Sequence, residues 1–129
     1  ATLNIFRAVL SHPRSLLETL DISFTGIDDE GALCLGNALA INISLRHLQI
    51  SGNEAITLAG WEGLSICLRS SISELEFLTA MNCNIDDEGF VAIFLALAGN
   101  SSLKGLNALK NRSEIRDHED IDDSLSCTM

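Results

Sequence analysis

The pentapeptide Ile27-Asp28-Asp29-Glu30-Gly31 returns as Ile85-Asp86-Asp87-Glu88-Gly89, 58 residues later. An eroded version, Ile56-Thr57-Leu58-Ala59-Gly60, lies midway. In every copy the isoleucine precedes the glycine by four residues, and a leucine follows the glycine by eight (Leu39, Leu68, Leu97). Self-similarity at a fixed period of this size constrains a chain more than any composition does. Each copy is one unit that buries its apolar side only by stacking on the next.

The units read alike. Leu17-x-x-Leu20-x-Ile22 is followed by Thr25 and Ile27, Leu45-x-x-Leu48-x-Ile50 by Asn53 and Ile56, and Leu75-x-x-Leu78-x-Ala80 by Cys83 and Ile85. A last half-unit has Leu103-x-x-Leu106-x-Ala108 and Asn111. Alternation of apolar and polar residues predicts a short strand with one buried face. Each Ile-x-x-x-Gly segment then opens a helix. Asp28 and Asp86 are placed as N-caps, with Thr57 as their substitute, and the acids that follow meet the positive end of the helix dipole. Leu35/Ala38/Leu39, Leu64/Cys67/Leu68 and Ile93/Ala96/Leu97 fall on one helical face. Phe6-Arg7-Ala8-Val9-Leu10 resembles the second half of one more helix, stopped by Pro13; Leu10 stands six before Leu16, as Leu39 stands six before Leu45. The chain thus reads as starting inside a repeat.

These residues resemble the leucine-rich repeats, specifically the longer, ribonuclease-inhibitor-like class. Leu45-Arg46-His47-Leu48-Gln49-Ile50-Ser51-Gly52-Asn53 fits that class's LxxLxLxxN segment. Ile85 to Gly89, with Ile93, Ala96 and Leu97, fits its helical half. The resemblance spans about residues 6 to 111. It departs at Thr25 and Cys83, which stand at the asparagine position, and at Ala80 and Ala108, which suggest looser third and fourth layers. It implies an α/β fold: a short right-handed β/α horseshoe segment of about three and a half repeats. The parallel sheet would line the concave face and the helices the convex face. Residues 1–111 would form this solenoid and residues 112–129 an acidic, disordered tail, too poor in apolar side chains to offset its ordering entropy.

Charge narrows the role. The net charge is −10 and the pI about 4.5, which opposes binding to a phosphate backbone or to anionic lipid. The expected partner is therefore a protein, with no nucleic acid and no membrane. No apolar run reaches the ~20 residues that span a bilayer. Cys34, Cys67, Cys83 and Cys127 form no CxxC pair.

No catalytic set stands out, so the chain reads as non-enzymatic, without cofactor or metal. His12, His47 and His118 lie on separate elements. The paired carboxylates at 28–30 and 86–88 open helices in alternate repeats, where capping accounts for them. The cluster Asp117 to Asp123 lacks the glycine and terminal glutamate of a calcium loop and reads as solvated tail. The resemblance implies instead a scaffold that binds a protein on the concave sheet face. Its rows would be Thr19/His47/Phe77/Gly105, Asp21/Gln49/Thr79/Asn107, Ser23/Ser51/Met81/Leu109 and Phe24/Gly52/Asn82/Lys110. The residues taken as the partner site are Thr19, Asp21, His47, Gln49, Phe77, Thr79, Met81, Asn107 and Leu109. Phe77, Met81 and Leu109 are large apolar side chains at positions facing solvent, a pattern that marks contact surfaces. Two alternatives stand beside this reading. One is a regulatory subunit of an enzyme system, as in Ran GTPase-activating proteins, with Arg46 or Asn53 reaching a nucleotide. The other is a secreted repeat protein glycosylated at Asn42, Asn100 or Asn111, each in an N-x-Ser sequon. The first reading places the chain in the cytoplasm.

Overall fold

A computed structural model describes residues 7–12 and 14–112, and the backbone of residues 126–128. Strands and helices alternate: β1 (Thr19–Asp21), α1 (Asp29–Ile41), β2 (His47–Gln49), α2 (Leu58–Arg69), β3 (Phe77–Thr79), α3 (Asp87–Leu97), β4 (Gly105–Asn107) and β5 (Ser126–Thr128). Strands β1 to β4 pair in parallel and in chain order, and β5 pairs antiparallel on β4. Of the tail expected from residue 112, residues 113–125 lie outside the described residues, while 126–128 form β5.

Each strand has only three residues, because every unit turns a corner on both sides. On the way in to β2 and to β4, an asparagine makes the corner. The Asn42 amide donates to the Leu10 carbonyl (2.8 Å) and accepts from the N–H groups of Ser44 and Leu45. Asn100 repeats the arrangement on Leu68, Ser102 and Leu103. On the way out, each unit passes through a left-handed residue: Phe24 (φ 56°), Gly52 (φ 73°), Asn82 (φ 54°) and Lys110 (φ 57°).

The core is one continuous layer between sheet and helices. Leu48, Leu78 and Leu106 face it from the strands, and Leu35, Leu39, Leu64, Leu68, Ile93 and Leu97 from the helices. The founding Ile-x-x-x-Gly pattern has a steric cause. A Cβ on Gly31, Gly60 or Gly89 would come within 2.8, 2.5 or 2.9 Å of the Cγ2 of Ile27, Ile56 or Ile85. Only glycine lets the buried isoleucine lie against the first helical turn. Ala80 and Ala108 are fully buried, and the helix side of the core carries larger side chains along the array. Where α1 carries Ala32, α2 carries Trp61 and α3 carries Phe90, both buried.

Two local expectations need correction. Leu16 is 88% exposed and Leu17 is half-buried against the core, so Leu17 and not Leu16 is the partner of Leu10 in the repeat. Thr57 makes no cap of its own helix through its side chain. Its N–H (2.6 Å) and its hydroxyl both donate to the Asp29 carboxylate of the preceding helix, which thus serves the next repeat. Asp28 and Asp86 do cap their helices, accepting from Gly31 N–H (3.0 Å) and Gly89 N–H (2.9 Å).

Candidate functional site

The parallel register turns the strand positions into rows across the open face of the sheet, opposite the helices. Thr19 lies beside His47, His47 beside Phe77, and Phe77 beside Gly105. Asp21, Gln49, Thr79 and Asn107 form the next row in the same way. A third row continues through backbone bonds from Phe24 N–H to Ser51 carbonyl, Gly52 N–H to Met81 carbonyl and Asn82 N–H to Leu109 carbonyl. All nine residues singled out from the sequence therefore share one face.

Their surroundings differ. The imidazole of His47 stacks on the Phe77 ring, with centroids 5.0 Å apart and planes 14° apart. Phe77 is 39% exposed, so the pair offers a broad aromatic edge to solvent. Met81 and Leu109 are half-buried rather than fully solvent-facing. Thr19, Asp21 and Gln49 are exposed, while Thr79 and Asn107 are half-buried. The Asp21 carboxylate accepts from Ser23 N–H (3.0 Å), which holds its carboxyl below the ordinary carboxylate range.

A charged row flanks this face and was missed from the sequence. Glu18, Arg46, Glu76 and Lys104 stand side by side at the entry to the four parallel strands, as their backbone bonds show. Arg46 Nη1 reaches Glu74 (3.2 Å) and Glu76 (3.4 Å), and Lys104 Nζ lies 3.7 Å from Glu76. The signal was present: in each unit it is the residue after the first leucine, and the sign alternates from one unit to the next. Exposed pairs of this kind contribute at most about 1 kcal/mol each, so they define a pattern more than they hold the fold.

The alternative candidates are committed elsewhere. Asn53 is 0% exposed. Its carbonyl oxygen accepts from Thr25 N–H (3.1 Å) and Ile27 N–H (3.2 Å), and its amide donates to Ile22 and Ile50 carbonyls. Asn111 does the same for Cys83, Ile85, Ala80 and Ala108. Thr25 and Cys83 fill the same ladder position: the Thr25 hydroxyl donates to Ile22 carbonyl (2.6 Å), and Cys83 Sγ to Ile50 carbonyl (3.2 Å). Burial pushes the Cys83 thiol up. Asn53 therefore cannot reach a nucleotide, and Arg46 is held by two glutamates. The sequon residues Asn42, Asn100 and Asn111 each use, within the fold, the amide nitrogen that would carry a glycan.

Among the described residues no group of three or more His, Cys, Asp or Glu side chains is placed to hold a metal ion. No described helix is long and apolar enough to cross a membrane.

Comparison with known proteins agrees with this architecture. A family profile described as Leucine Rich repeat matches residues 15–36 and 42–65. The human protein "NACHT, LRR and PYD domains-containing protein 5" is 35% identical over 104 residues, covering 81% of this chain and 8% of its own length. "Protein phosphatase 1 regulatory subunit 37" of Bos taurus is 31% identical over 94 residues, covering 73% of this chain and 13% of its own. The chain thus spans only a small part of the relatives it matches. Among solved structures, "Leiomodin-1 Actin-Binding Site 2 (ABS2)" superposes with a TM-score of 0.69 over 86% of this chain and 61% of that one, at 19% identity; this likeness concerns the fold.

Proposed function

The chain is a leucine-rich-repeat protein, and from that premise we propose that it is a protein-interaction module whose partner lies across the open face of the sheet. The observation that carries this reading is the aligned face itself. Three parallel rows of side chains cross it, with the stacked His47–Phe77 pair in the first row and half-buried Met81 and Leu109 in the third. Exposed aromatic residues with polar neighbours make the strongest contact points in protein interfaces. Repetition supplies rigidity, so a partner meets a surface that needs little ordering.

The test is an affinity capture from source lysate with the wild-type chain and His47→Asp/Phe77→Arg side by side. Both positions are exposed, so the variant keeps its fold, and circular dichroism checks that. A protein held by the wild type and lost from the variant supports the reading. Equal capture by both removes it.

A second reading is favoured by the likeness to protein phosphatase 1 regulatory subunit 37. In it the same face serves a regulatory subunit that binds an enzyme and contributes no catalytic group. Co-elution with the protein phosphatase 1 catalytic subunit, together with a change in its activity, would sustain it; separate elution would remove it. Both readings place the chain in the cytoplasm. Occupied amides at all three sequons speak against glycosylation, and an unchanged mobility after N-glycanase treatment of the natural protein is the expected outcome.

A further inference from the structure

The helices present a second surface, on the side away from the sheet. Between α1 and α2 the backbones touch: a Cβ on Gly36 would overlap the Gly63 carbonyl oxygen, and one on Gly63 would come within 2.9 Å of Leu33 Cα. The corresponding residues of the next pair, 29 positions later, are Ser65 and Ala92. With these side chains in place of glycines, α2 and α3 do not close in the same way, and a groove of about 470 Å³ runs between them. Its apolar lining is Leu58, Val91, Ala92 and Leu95, and Leu95 is 70% exposed.

The rim is polarised. Glu88 stands with Asp87 in the first turn of α3, Glu62 one turn into α2, and Arg69, the last residue of α2, at the other end. We propose that this groove binds an amphipathic helix from a partner protein, running antiparallel to α2 and α3. Two apolar side chains one turn apart would sit over Val91 and Leu95. Cationic residues in the last turn would meet Glu62 and Glu88, and an acidic residue in the first turn would meet Arg69. That polarity agrees with a helix's own preference for anions at its start and cations at its end. Antiparallel packing also opposes the helix dipoles. Helix-in-groove recognition uses anchors at this spacing. The site is separate from the open sheet face, and neither proposal depends on the other.

The probe is a fluorescent, hydrocarbon-stapled helix of about three turns, matching the length of α3. It carries two leucines one turn apart, glutamates in its first turn and lysines in its last. Fluorescence anisotropy should show saturable binding to the wild-type chain. Leu95→Glu and the pair Glu62→Lys/Glu88→Lys should each weaken it by about tenfold or more. A peptide with its two charged turns exchanged should bind the wild type poorly and recover affinity on the lysine variant. All three replaced residues are exposed, and thermal denaturation verifies that the variants fold. Each of these binding results overturns the proposal: no saturable binding; equal binding to Leu95→Glu; no preference between the two peptides; or loss on His47→Asp/Phe77→Arg instead, which would put the peptide on the sheet face. Sedimentation separates the remaining occupant. A wild-type dimer that Leu95→Glu dissolves would assign the groove to a second copy of this chain and overturn the partner-helix proposal.

Discussion

At the scale of single residues, stability is concentrated where the backbone has no other hydrogen-bond partner. Asn53 serves two N–H groups of the previous repeat and carbonyls in both repeats at once. Asn53→Ala would leave those buried groups unpaired, at about 1–3 kcal/mol for each one that water cannot reach. Urea denaturation should show a loss of several kcal/mol, enough to unfold a short repeat array. Glycine is the other such point. Gly36→Ala sets a methyl group against the Gly63 carbonyl, and two packed helices must separate to admit it. A loss of about 2 kcal/mol or more is expected. Gly99→Ala meets nothing within 4 Å and should be neutral within about 0.5 kcal/mol. Similar midpoints for the two variants would show that α1 and α2 are not held at backbone contact.

At the scale of elements, helix starts are shared between repeats. Asp28→Ala removes an ordinary cap and should cost about 1 kcal/mol. Asp29 sits in the first turn of α1, where a sequence reading gives it only a dipole role, yet it accepts both bonds from Thr57. Asp29→Ala should therefore cost at least as much as Asp28→Ala. A double-mutant cycle with Thr57→Val should show a coupling above about 0.5 kcal/mol. Additivity within error would mean that the bond between the repeats contributes nothing. The founding pattern is explained at this scale too: isoleucine and glycine recur together because one side chain lies where the other has none.

For the whole molecule, the repeats share one core and should unfold together, and the cysteines report on this. Cys67 is buried in the helical layer, and burial pushes its thiol from 9.0 up to about 12. A raised thiol pKa favours the folded state fully below the unfolded value. That contribution is lost as pH rises from about 9 towards 12, because the unfolded chain ionises first. Urea midpoints should fall across that window, and less steeply in Cys67→Ala. In the folded protein Ellman's reagent should react with half-buried Cys34 ahead of Cys67 and Cys83, which are buried. Reaction of buried Cys67 and Cys83 at clearly different rates in the absence of urea would show that the array opens as separate units.

The spacing of isoleucines, glycines and leucines determined the repeat, the order of strand and helix, and the parallel rows of the sheet. Those features follow from periodic burial, which is written locally and needs no knowledge of neighbours. The same spacing aligns Thr19, His47 and Phe77 in one row. Contacts between units were decided by the tertiary structure alone. Thr57 turned to Asp29, Arg46 to two glutamates, His47 stacked on Phe77, and Met81 withdrew to half-burial. The groove between α2 and α3 belongs with them, because it depends on how closely two helices approach. Such distances are set by pairs of residues about 27 to 30 positions apart, which local pattern does not join and only stacking brings into contact.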